Sequence, residues 1–453
     1  MTTMLKLDGP VLTAGMDGYD DARRVWNAMF DRKPALLARC AHAQDVATAV
    51  RHAREQQLRL AVRGGGHNIA GLGSIDGGLL IDLAGIAGVE VDLPARRVRV
   101  GGGALFGQVD VVTQRHGLAV PSGIISSTGV GGLTLGGGMG WLARRYGLTC
   151  DHLLAAELVT ADGRIVHVDE ERDPELLWGL RGGGGNFGIV TEFTFALRAL
   201  GPQVLFGPTI YALSDAPAVL QAYRDVCATA PRELCIWADL LHAPPLPFLP
   251  THVHGTPVLS LLQCYLGEPQ RADALLRPFH DAARPLGSGL MQRPYCEAQS
   301  LFDAAYGPGM RNYWSAHNLT GLSDSLIDLL VEAAGALPTD TSDIMIHQLG
   351  GAIDDQAADA TAYPHRGVAF ALTPGARWSS PADDERCIAW TRALHAAISP
   401  TATGTAYVNF ISEHEGREQC AYAQHMARLG ALKQTHDPER VFQSTQRVLH
   451  PSN

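Results

Sequence analysis

The amino-acid sequence predicts an α+β fold with two regions of different character. Fifty glycines occur among the 453 residues, and the dense glycine stretches lie within the first 190 residues, between short segments with strand or helix periodicity. After Arg198 glycine becomes sparser and prolines cluster between 244 and 250, while apolar strands such as 258–266 alternate with helices. A chain of this length suffices for about two or three domains, so the change predicts a domain boundary near residue 200.

The amino-terminal elements follow from the spacing of apolar residues. Asp45 is the candidate N-cap of a helix in which Val46, Val50 and Ala53 lie on one face. Strands are predicted over 35–39, 58–62, 78–83, 89–92, 97–100 and 190–197, with a further helix over 105–116. Near the carboxyl end, helical spacing of apolar residues predicts two more helices, over 383–398 and 419–433.

The run Arg63-Gly-Gly-Gly-His67 directly follows the predicted strand 58–62. Three consecutive glycines lose more chain entropy on folding than any other triplet, so the run indicates a backbone that must approach another group closely. Backbone amides in such a turn can also form a nest that binds an anion. A tight surface turn followed by an ordinary histidine is the alternative for this segment taken alone.

Two further glycine stretches, over 121–140 and 181–190, favour a ligand-binding role. The stretch 121–140 holds too many glycines for an ordinary helix or strand, and we expect its backbone to wrap a flat polar ligand. Three such loops in one region predict a single large dinucleotide. The Rossmann glycine spacing at the start of a helix and the Walker Gly-Lys-Ser/Thr ending are both missing, so neither familiar phosphate motif fits.

Charge and composition argue against several partners and locations. With 46 acidic and 36 basic residues the formal charge is −10, and no basic run could follow a phosphate backbone, so nucleic acid is not expected as a partner. The sequence shows neither an apolar stretch of membrane-spanning length nor a signal segment, which predicts a cytoplasmic protein without membrane contact. The eight cysteines form no Cys-x-x-Cys pair, which favours buried thiols over a metal site or disulfides.

Several motifs together resemble one flavoprotein family. They are Arg63-Gly-Gly-Gly-His67, TGVGGLTLGGGMG over 128–140, Arg145-Tyr-Gly-Leu148, LLWGLRGGGGNFGIVT over 176–191, and Tyr407-Val-Asn409. The combination is similar to the berberine bridge enzyme-like branch of the vanillyl-alcohol oxidase/p-cresol methylhydroxylase (PCMH) flavoproteins. The resemblance is strong over 34–198 and clear again over 401–443.

The resemblance implies a particular domain organisation. Residues 1–200 would form a PCMH-type FAD-binding domain, whose core of about 34–200 consists of two small α+β subdomains. Residues 201–400 would form a substrate-binding domain with an antiparallel sheet flanked by helices. The segment 401–453 would then return to the FAD-binding domain.

FAD is the cofactor that the resemblance implies. His67 matches the family histidine that bonds covalently to the 8α-methyl carbon of the flavin, and a neutral imidazole nitrogen is a suitable nucleophile for such a bond. The glycines after Arg63 would bind the pyrophosphate through their backbone amides. The residues expected to bind the cofactor are Arg63, Gly64, Gly65, Gly66, His67, Asn68, Gly71, Ser127, Thr128, Gly131, Gly132, Leu133, Gly136, Gly138, Gly188, Val190, Tyr407 and Asn409.

A single covalent link to the flavin is expected. Many relatives carry a second link through a cysteine in the second glycine loop, and Ile125 occupies that position here. Thr128 stands where the family borders the oxygen-access face of the flavin, and its modest size favours an oxidase over a dehydrogenase.

Tyr407 and Tyr146 match tyrosines near the flavin of relatives and are the predicted catalytic residues. Tyr407 could act as a base or orient the substrate, but a tyrosine with its ordinary pKa near 10 needs a neighbouring positive charge or donor to act as a base. His347 could face the substrate from the second domain, although an isolated histidine beside a strand is more often structural.

The implied function is that of an FAD-dependent oxidase. It would remove a hydride from a C–H bond beside an amine or alcohol and reduce O2 to H2O2. The expected partners are O2 and a small molecule: an alkaloid-like amine, a natural-product intermediate or a sugar. A dehydrogenase with another electron acceptor and a flavin-binding protein without turnover are the alternatives, and a homodimer is compatible with the sequence.

Overall fold

The computed structural model describes residues 4–412 and 418–442, and its first sheet is small and mostly parallel. Three strands pair in parallel and a short fourth strand adds antiparallel at one edge. The helix Ala43–Glu55 connects two of the parallel strands and buries Val46, Val50 and Ala53 against them. In spatial order the strands are Val11–Leu12, Leu36–Arg39, Leu79–Asp82 and Leu60–Arg63.

The second sheet is antiparallel and has five strands. Its central strand, Ile189–Ala196, alternates buried and half-buried residues, and Phe193 and Phe195 project from one face into a large apolar core. The helices Phe106–Gln114 and Pro174–Leu180 contribute to the same core. In spatial order the strands are Val89–Asp92, Arg97–Gly101, Ile189–Ala196, Leu153–Val159 and Ile165–Asp169.

The third sheet has nine strands, and all of its pairs are antiparallel. One face is covered by the helices Ala216–Thr229, Ala272–Ala282, Asp324–Ala334 and Asp384–Ile398. The opposite face carries Trp237 and Met345, which share a core with Trp141 from the glycine-rich half. The strands are Gln203–Ala212, Leu234–His242, Pro257–Tyr265, Gly287–Ser288, Met291–Pro294, Arg311–Trp314, His317–Leu319, Asp343–Gln348 and Phe370–Trp378.

Shorter elements complete the described part of the chain. Met426–His436 packs its Leu429 and Leu432 into the core of the second sheet, beside Pro174–Leu180. Leu118–Ala119 and Arg198–Ala199 form a separate two-stranded ladder. The other α-helices are Tyr19–Ala22, Val130–Leu135, Ala143–Tyr146, Tyr295–Ser300 and Glu418–Tyr422.

The predicted α+β fold class is confirmed, including the antiparallel sheet flanked by helices. The predicted strands of the first 200 residues all occur, with ends that differ by at most two residues. The domain boundaries near 200 and 401 stay predictions, and the end of the predicted segment 401–453 lies outside the described residues.

Asp45 is not the N-cap of its helix, so that prediction was wrong. The helix begins after His42, whose Nδ1 accepts a hydrogen bond from the backbone amide of Asp45. The Asp45 carboxylate instead accepts from the amides of Asp8, Gly9 and Ala41. His42 therefore provides the local cap, and the Asp45 carboxylate connects the helix to the amino-terminal segment.

Two other expectations are corrected by the structure. The stretch 121–140 does contain a helix, Val130–Leu135, because the amide of Val130 bonds to Ala104 and its small residues allow close packing. The helix expected over 419–433 is interrupted, because Ala423 has a φ of 45° and starts a short 3-10 turn. His425 in that turn packs against Trp178.

None of the helices in the described part of the chain combines the length and the apolar character of a membrane-spanning segment. All eight cysteines are free, and five of them are buried, in agreement with the expectation of buried thiols.

A buried ion pair connects Asp151 with Arg366, which lie 215 residues apart in the sequence. The guanidinium of Arg366 donates to both carboxylate oxygens of Asp151, at 2.6 and 3.0 Å, and both side chains are at most 5% exposed. Removing one partner leaves a buried charge without compensation, which costs on the order of 3–5 kcal/mol. We expect Asp151→Asn to lower the thermal unfolding midpoint by at least about 3 °C, measured by circular dichroism.

Glu90→Gln provides the control, because Glu90 and Arg99 form an ion pair with both side chains more than half exposed. Exposed pairs contribute about 0–1 kcal/mol, so this midpoint should move by less than about 1 °C. Equal shifts in the two variants would contradict the role assigned to the Asp151–Arg366 pair.

Candidate functional site

The three glycine stretches meet the third sheet at one cavity of about 300 Å³. One wall is lined by residues 64–66, by Gly129, Gly131 and Gly132, and by residues 184–185 and 188–190. The opposite wall consists of side chains from the third sheet, among them Trp237, Met345 and His347. The cavity therefore lies between the glycine-rich half and the sheet that follows it.

The first two glycine stretches touch each other directly. A Cβ atom on Gly65 would collide with the backbone of Gly129, and one on Gly129 would collide with the backbone of Gly65. A Cβ on Gly102 would likewise meet the carbonyl oxygen of Val190. Glycine is required at these positions because separate backbone segments are in contact around the cavity.

Gly136 and Gly138 do not line the cavity, but they hold two residues that do. A Cβ on Gly136 would occupy the position of the Asn409 amide. Gly138 has a φ of 81°, and its amide donates to the hydroxyl of Tyr407 at 3.0 Å. These glycines consequently position Tyr407 and Asn409 rather than offering amides to the cavity.

His67 lines the cavity immediately after the first glycine run. Its ring stacks on Trp26 at a centroid distance of 5.3 Å, and its Nε2 lies 3.0 Å from the hydroxyl of Ser127. Burial lowers the pKa of His67 to about 4, although the charge of Asp303 acts in the opposite direction. The imidazole is therefore neutral at pH 7.

Arg63 and Asn68 stabilise the backbone on either side of His67. The guanidinium of Arg63 donates to Asp82 at 2.8 Å and to the carbonyl of Arg24 at 2.9 Å. The Asn68 side chain accepts from the amides of Ala70 and Leu72, each at 3.1 Å. The charge of Arg63 is thus compensated within the protein.

Tyr407 is 3% exposed and lies in the cavity wall. Its hydroxyl accepts from the Gly138 amide and from the Asn409 side chain at 2.9 Å, and neither bond uses the hydroxyl proton. Burial raises the pKa of Tyr407 to about 12, while the two donors lower it. The phenol is therefore protonated at neutral pH and can donate a hydrogen bond.

The third-sheet wall arises from strand alternation. Asp343, Met345 and His347 occupy one face of the strand Asp343–Gln348. Trp237 lies opposite His347 in the register, and Thr373 lies opposite Met345. The period of two over 343–347 could have indicated this wall from the sequence, but only the fold shows that it faces the glycine loops.

His347 is almost completely buried in this wall. Its Nε2 lies 3.2 Å from the hydroxyl of Thr373, and its Nδ1 has no hydrogen-bond partner among the described residues. Burial lowers the pKa of His347 to about 3, so the ring is neutral. Phe410 packs against both His347 and Tyr407, with centroid distances of 5.2 and 4.9 Å.

The structure brings together most of the residues that the sequence singled out. Those that line the cavity are Arg63, Gly64, Gly65, Gly66, His67, Asn68, Thr128, Gly131, Gly132, Leu133, Gly188, Val190, Tyr407 and Asn409. Gly71, Ser127, Gly136, Gly138 and Tyr146 lie outside the lining. Tyr146 donates its hydroxyl to the carbonyl of Ala199 at 2.6 Å, and its ring packs near Trp141.

Sequence reasoning missed several cavity residues. Gly184 and Gly185 belong to the third glycine stretch and could have been included on composition alone. The aromatic residues gave no signal, because they come from distant segments that only the fold brings together. Among the missed side chains are Trp26, Trp237, Tyr306, Trp314, Asp343, Met345, Thr373 and Phe410.

The residues around the cavity fit an FAD molecule. Gly64–Gly66 and Gly131–Gly132 leave backbone without side chains along one wall, where an extended cofactor can approach closely. The remaining walls are mainly apolar and aromatic, as expected around a flat ring system.

Comparisons with known proteins agree with this geometry. A family model described as an FAD binding domain matches residues 34–169, and a model described as berberine and berberine like matches residues 406–448. (R)-6-hydroxynicotine oxidase from Paenarthrobacter nicotinovorans is 32% identical over 318 residues, which cover 69% of this chain and 68% of that enzyme.

Solved structures show the same fold over nearly the whole chain. 6-hydroxy-D-nicotine oxidase from Arthrobacter nicotinovorans superposes with a TM-score of 0.90 at 26% identity, covering 99% of both chains. Glucooligosaccharide oxidase from Acremonium strictum, described with a 6-S-cysteinyl, 8α-N1-histidyl FAD, gives a TM-score of 0.84 at 24% identity over 96% of this chain and 95% of its own. This chain is therefore an FAD-dependent oxidoreductase and belongs to the berberine bridge enzyme-like family of the vanillyl-alcohol oxidase/PCMH flavoproteins.

Proposed function

We propose that this chain is a covalent flavoprotein oxidase. It removes a hydride from a C–H bond beside an amine or alcohol of a small molecule and reduces O2 to H2O2. The observation that carries the proposal is the convergence of His67, Tyr407 and His347 on one cavity between the glycine loops and the third sheet. Bound FAD would supply the hydride acceptor and pass the electrons to O2.

The surroundings of His67 suit a residue that attaches the cofactor. The Nε2 atom of His67 forms a hydrogen bond with Ser127. The other ring nitrogen, Nδ1, has no hydrogen-bond partner among the described residues. The ring is neutral because burial lowers the pKa of His67, so a nitrogen lone pair is available as a nucleophile. Stacking on Trp26 fixes the plane of the ring.

A single attachment point follows from the second glycine loop. Ile125 lines the cavity where many relatives carry a second, cysteinyl link, and it has no nucleophilic atom. The cysteines nearest to it in the chain, Cys150 and Cys40, do not line the cavity. His67 is therefore the covalent ligand in this proposal.

Tyr407 and His347 can orient the group that is oxidised. Tyr407 remains protonated because its pKa is raised, so it donates a hydrogen bond to the substrate rather than acting as a base. The neutral ring of His347 can accept the hydrogen of a substrate N–H or O–H group. Their common contact with Phe410 holds both side chains on the same side of the cavity.

The attachment of FAD is tested by acid precipitation of the purified yellow protein. Wild-type protein should keep its colour in the pellet, with a flavin-sized mass addition on the peptide that contains His67. His67→Ala should release its flavin into the supernatant, because the proposed nucleophile is lost. His116→Ala is the control, since His116 does not line the cavity.

Flavin released from the wild-type protein would contradict the covalent link while leaving FAD binding intact. A flavin-sized addition on another peptide would exclude His67 as the attachment residue.

The role of Tyr407 is tested by comparing two tyrosine variants with any donor that bleaches the flavin. Tyr407→Phe removes the hydroxyl but keeps the ring, so kcat should fall by about 10-fold or more. Tyr146→Phe should cause a smaller loss, because Tyr146 lies outside the cavity lining. Anaerobic stopped-flow absorbance of the flavin measures the chemical step directly.

A larger loss in Tyr146→Phe than in Tyr407→Phe would overturn the role assigned to Tyr407.

Peroxide measured in the same reactions under air tests the oxidase part of the proposal. Bleaching without stoichiometric peroxide would instead favour a dehydrogenase with another acceptor.

A further inference from the structure

The substrate side of the cavity contains one carboxylate among the described residues, that of Asp343. Asp343 begins the strand Asp343–Gln348 and lies on the same face as His347, four residues further along. At about 3.3 Å per strand residue, their Cα atoms are roughly 13 Å apart. Asp343 therefore lies well away from the atoms that His347 and Tyr407 orient.

One oxygen of Asp343 is fixed and the other is available. The hydroxyl of Tyr306 donates to Asp343 Oδ2 at 2.6 Å. Oδ1 has no hydrogen-bond partner among the described residues. A Cβ atom on Gly375, directly opposite in the register, would lie 2.8 Å from Oδ1 and 3.4 Å from Trp314. A side chain at position 375 would collide with Oδ1, so Gly375 allows the carboxylate to lie against this strand next to the indole ring of Trp314.

Aromatic residues line the same part of the cavity as this carboxylate. Tyr306, Trp314 and Trp26 all line the cavity, and Trp26 packs edge to face on Trp314 at 5.5 Å. The indole nitrogen of Trp26 donates to the carbonyl of Tyr306 at 2.7 Å, which ties the rings together. The guanidinium of Arg377 already lies over the rings of Trp26 and Tyr306, 5.9 and 5.3 Å from their centroids. This leaves the ring of Trp314 for cation–π contact with an organic cation beside the carboxylate.

Asp239 and Arg377 are the charged neighbours that influence the protonation of Asp343. Asp239 lies on the adjacent strand, and burial together with the charge of Asp343 raises its pKa well above the ordinary value, which favours the protonated acid. Burial raises the pKa of Asp343 to about 6, although the hydrogen bond from Tyr306 and the charge of Arg377 act in the opposite direction, so the carboxylate is ionised at pH 7. Arg377 does not line the cavity, and its guanidinium donates to the carbonyls of Ala305 and Gly307.

We propose that Asp343, Tyr306 and Trp314 form a subsite for a cationic ammonium group of the donor substrate. The subsite binds a charge roughly 13 Å along the strand from His347, which orients the group that is oxidised. Donors with a protonated amine remote from the reacting carbon are therefore favoured over neutral alcohols and sugars. This inference rests on the proposed function, because it assumes that the donor occupies this cavity.

The test uses the purified FAD-containing protein and two probes of equal length, 3-phenylpropylamine and 3-phenylpropanol. Calorimetric titration gives the Kd of each. A charge-assisted hydrogen bond to this half-buried carboxylate should make the amine bind at least about 10-fold more tightly. Asp343→Asn keeps the shape of the side chain but removes the charge, so the amine should lose about 10-fold in affinity while the alcohol changes by less than about 2-fold.

Glu90→Gln is the control, because it removes an exposed carboxylate outside the cavity and should leave both Kd values unchanged. Gly375→Ala provides a second variant, since it keeps the charge but its methyl group would collide with Oδ1 and displace the carboxylate, which should weaken amine binding selectively. Flavin absorbance of each variant shows whether the site is assembled.

Equal affinity of the wild-type protein for the two probes, or no detectable amine binding, would overturn the subsite. Retention of the amine preference in Asp343→Asn would do the same. These outcomes are independent of the oxidase proposal, which fails if no donor bleaches the flavin or if O2 does not reoxidise it.

Discussion

The contact between separate glycine backbones is the constraint on which the rest of the site depends. Gly65 and Gly129 exclude each other's side chains, and Gly102 does the same against the strand at Val190. Larger residues at these positions would force the loops apart, and the wall behind the cavity would open. The same contacts determine the position of His67. This residue directly follows Gly66 of the first glycine loop, and its ring forms a hydrogen bond with Ser127 of the second glycine loop. The packing of the two glycine loops therefore also determines where the proposed attachment residue, His67, lies.

Burial then determines the protonation of the groups that face the cavity. His67 and His347 are neutral and Tyr407 keeps its proton, since the charged form of each side chain is disfavoured away from water. A neutral imidazole suits nucleophilic attachment, and a protonated phenol suits donation to a substrate. Among the described residues that line the cavity, Asp343 carries the carboxylate, so the substrate side has a negative charge at this position.

The sequence predicted local elements and glycine-dependent geometry well, because both are encoded over short distances. The spacing of apolar residues predicts the strands before and after the first glycine run. The glycine content predicts that the three glycine stretches meet around one ligand. The failures have a common physical cause in tertiary contacts: Asp45 serves distant amides, and the helix Val130–Leu135 is stabilised by its packing. The wall that contains Trp26, Trp314 and Asp343 could not be predicted from the sequence, because Trp26 lies about 300 residues before the others and only the fold brings them together.

A crystal structure of the purified yellow protein tests the central claim most directly, namely that one cavity between the glycine loops and the third sheet holds a flavin attached to His67. The account predicts FAD density along residues 64–66 and 129–132, continuous with His67 Nδ1, and with the flavin ring beside Tyr407 and His347. Flavin density elsewhere, or a clear gap between the flavin and His67 in a fully occupied site, would contradict it.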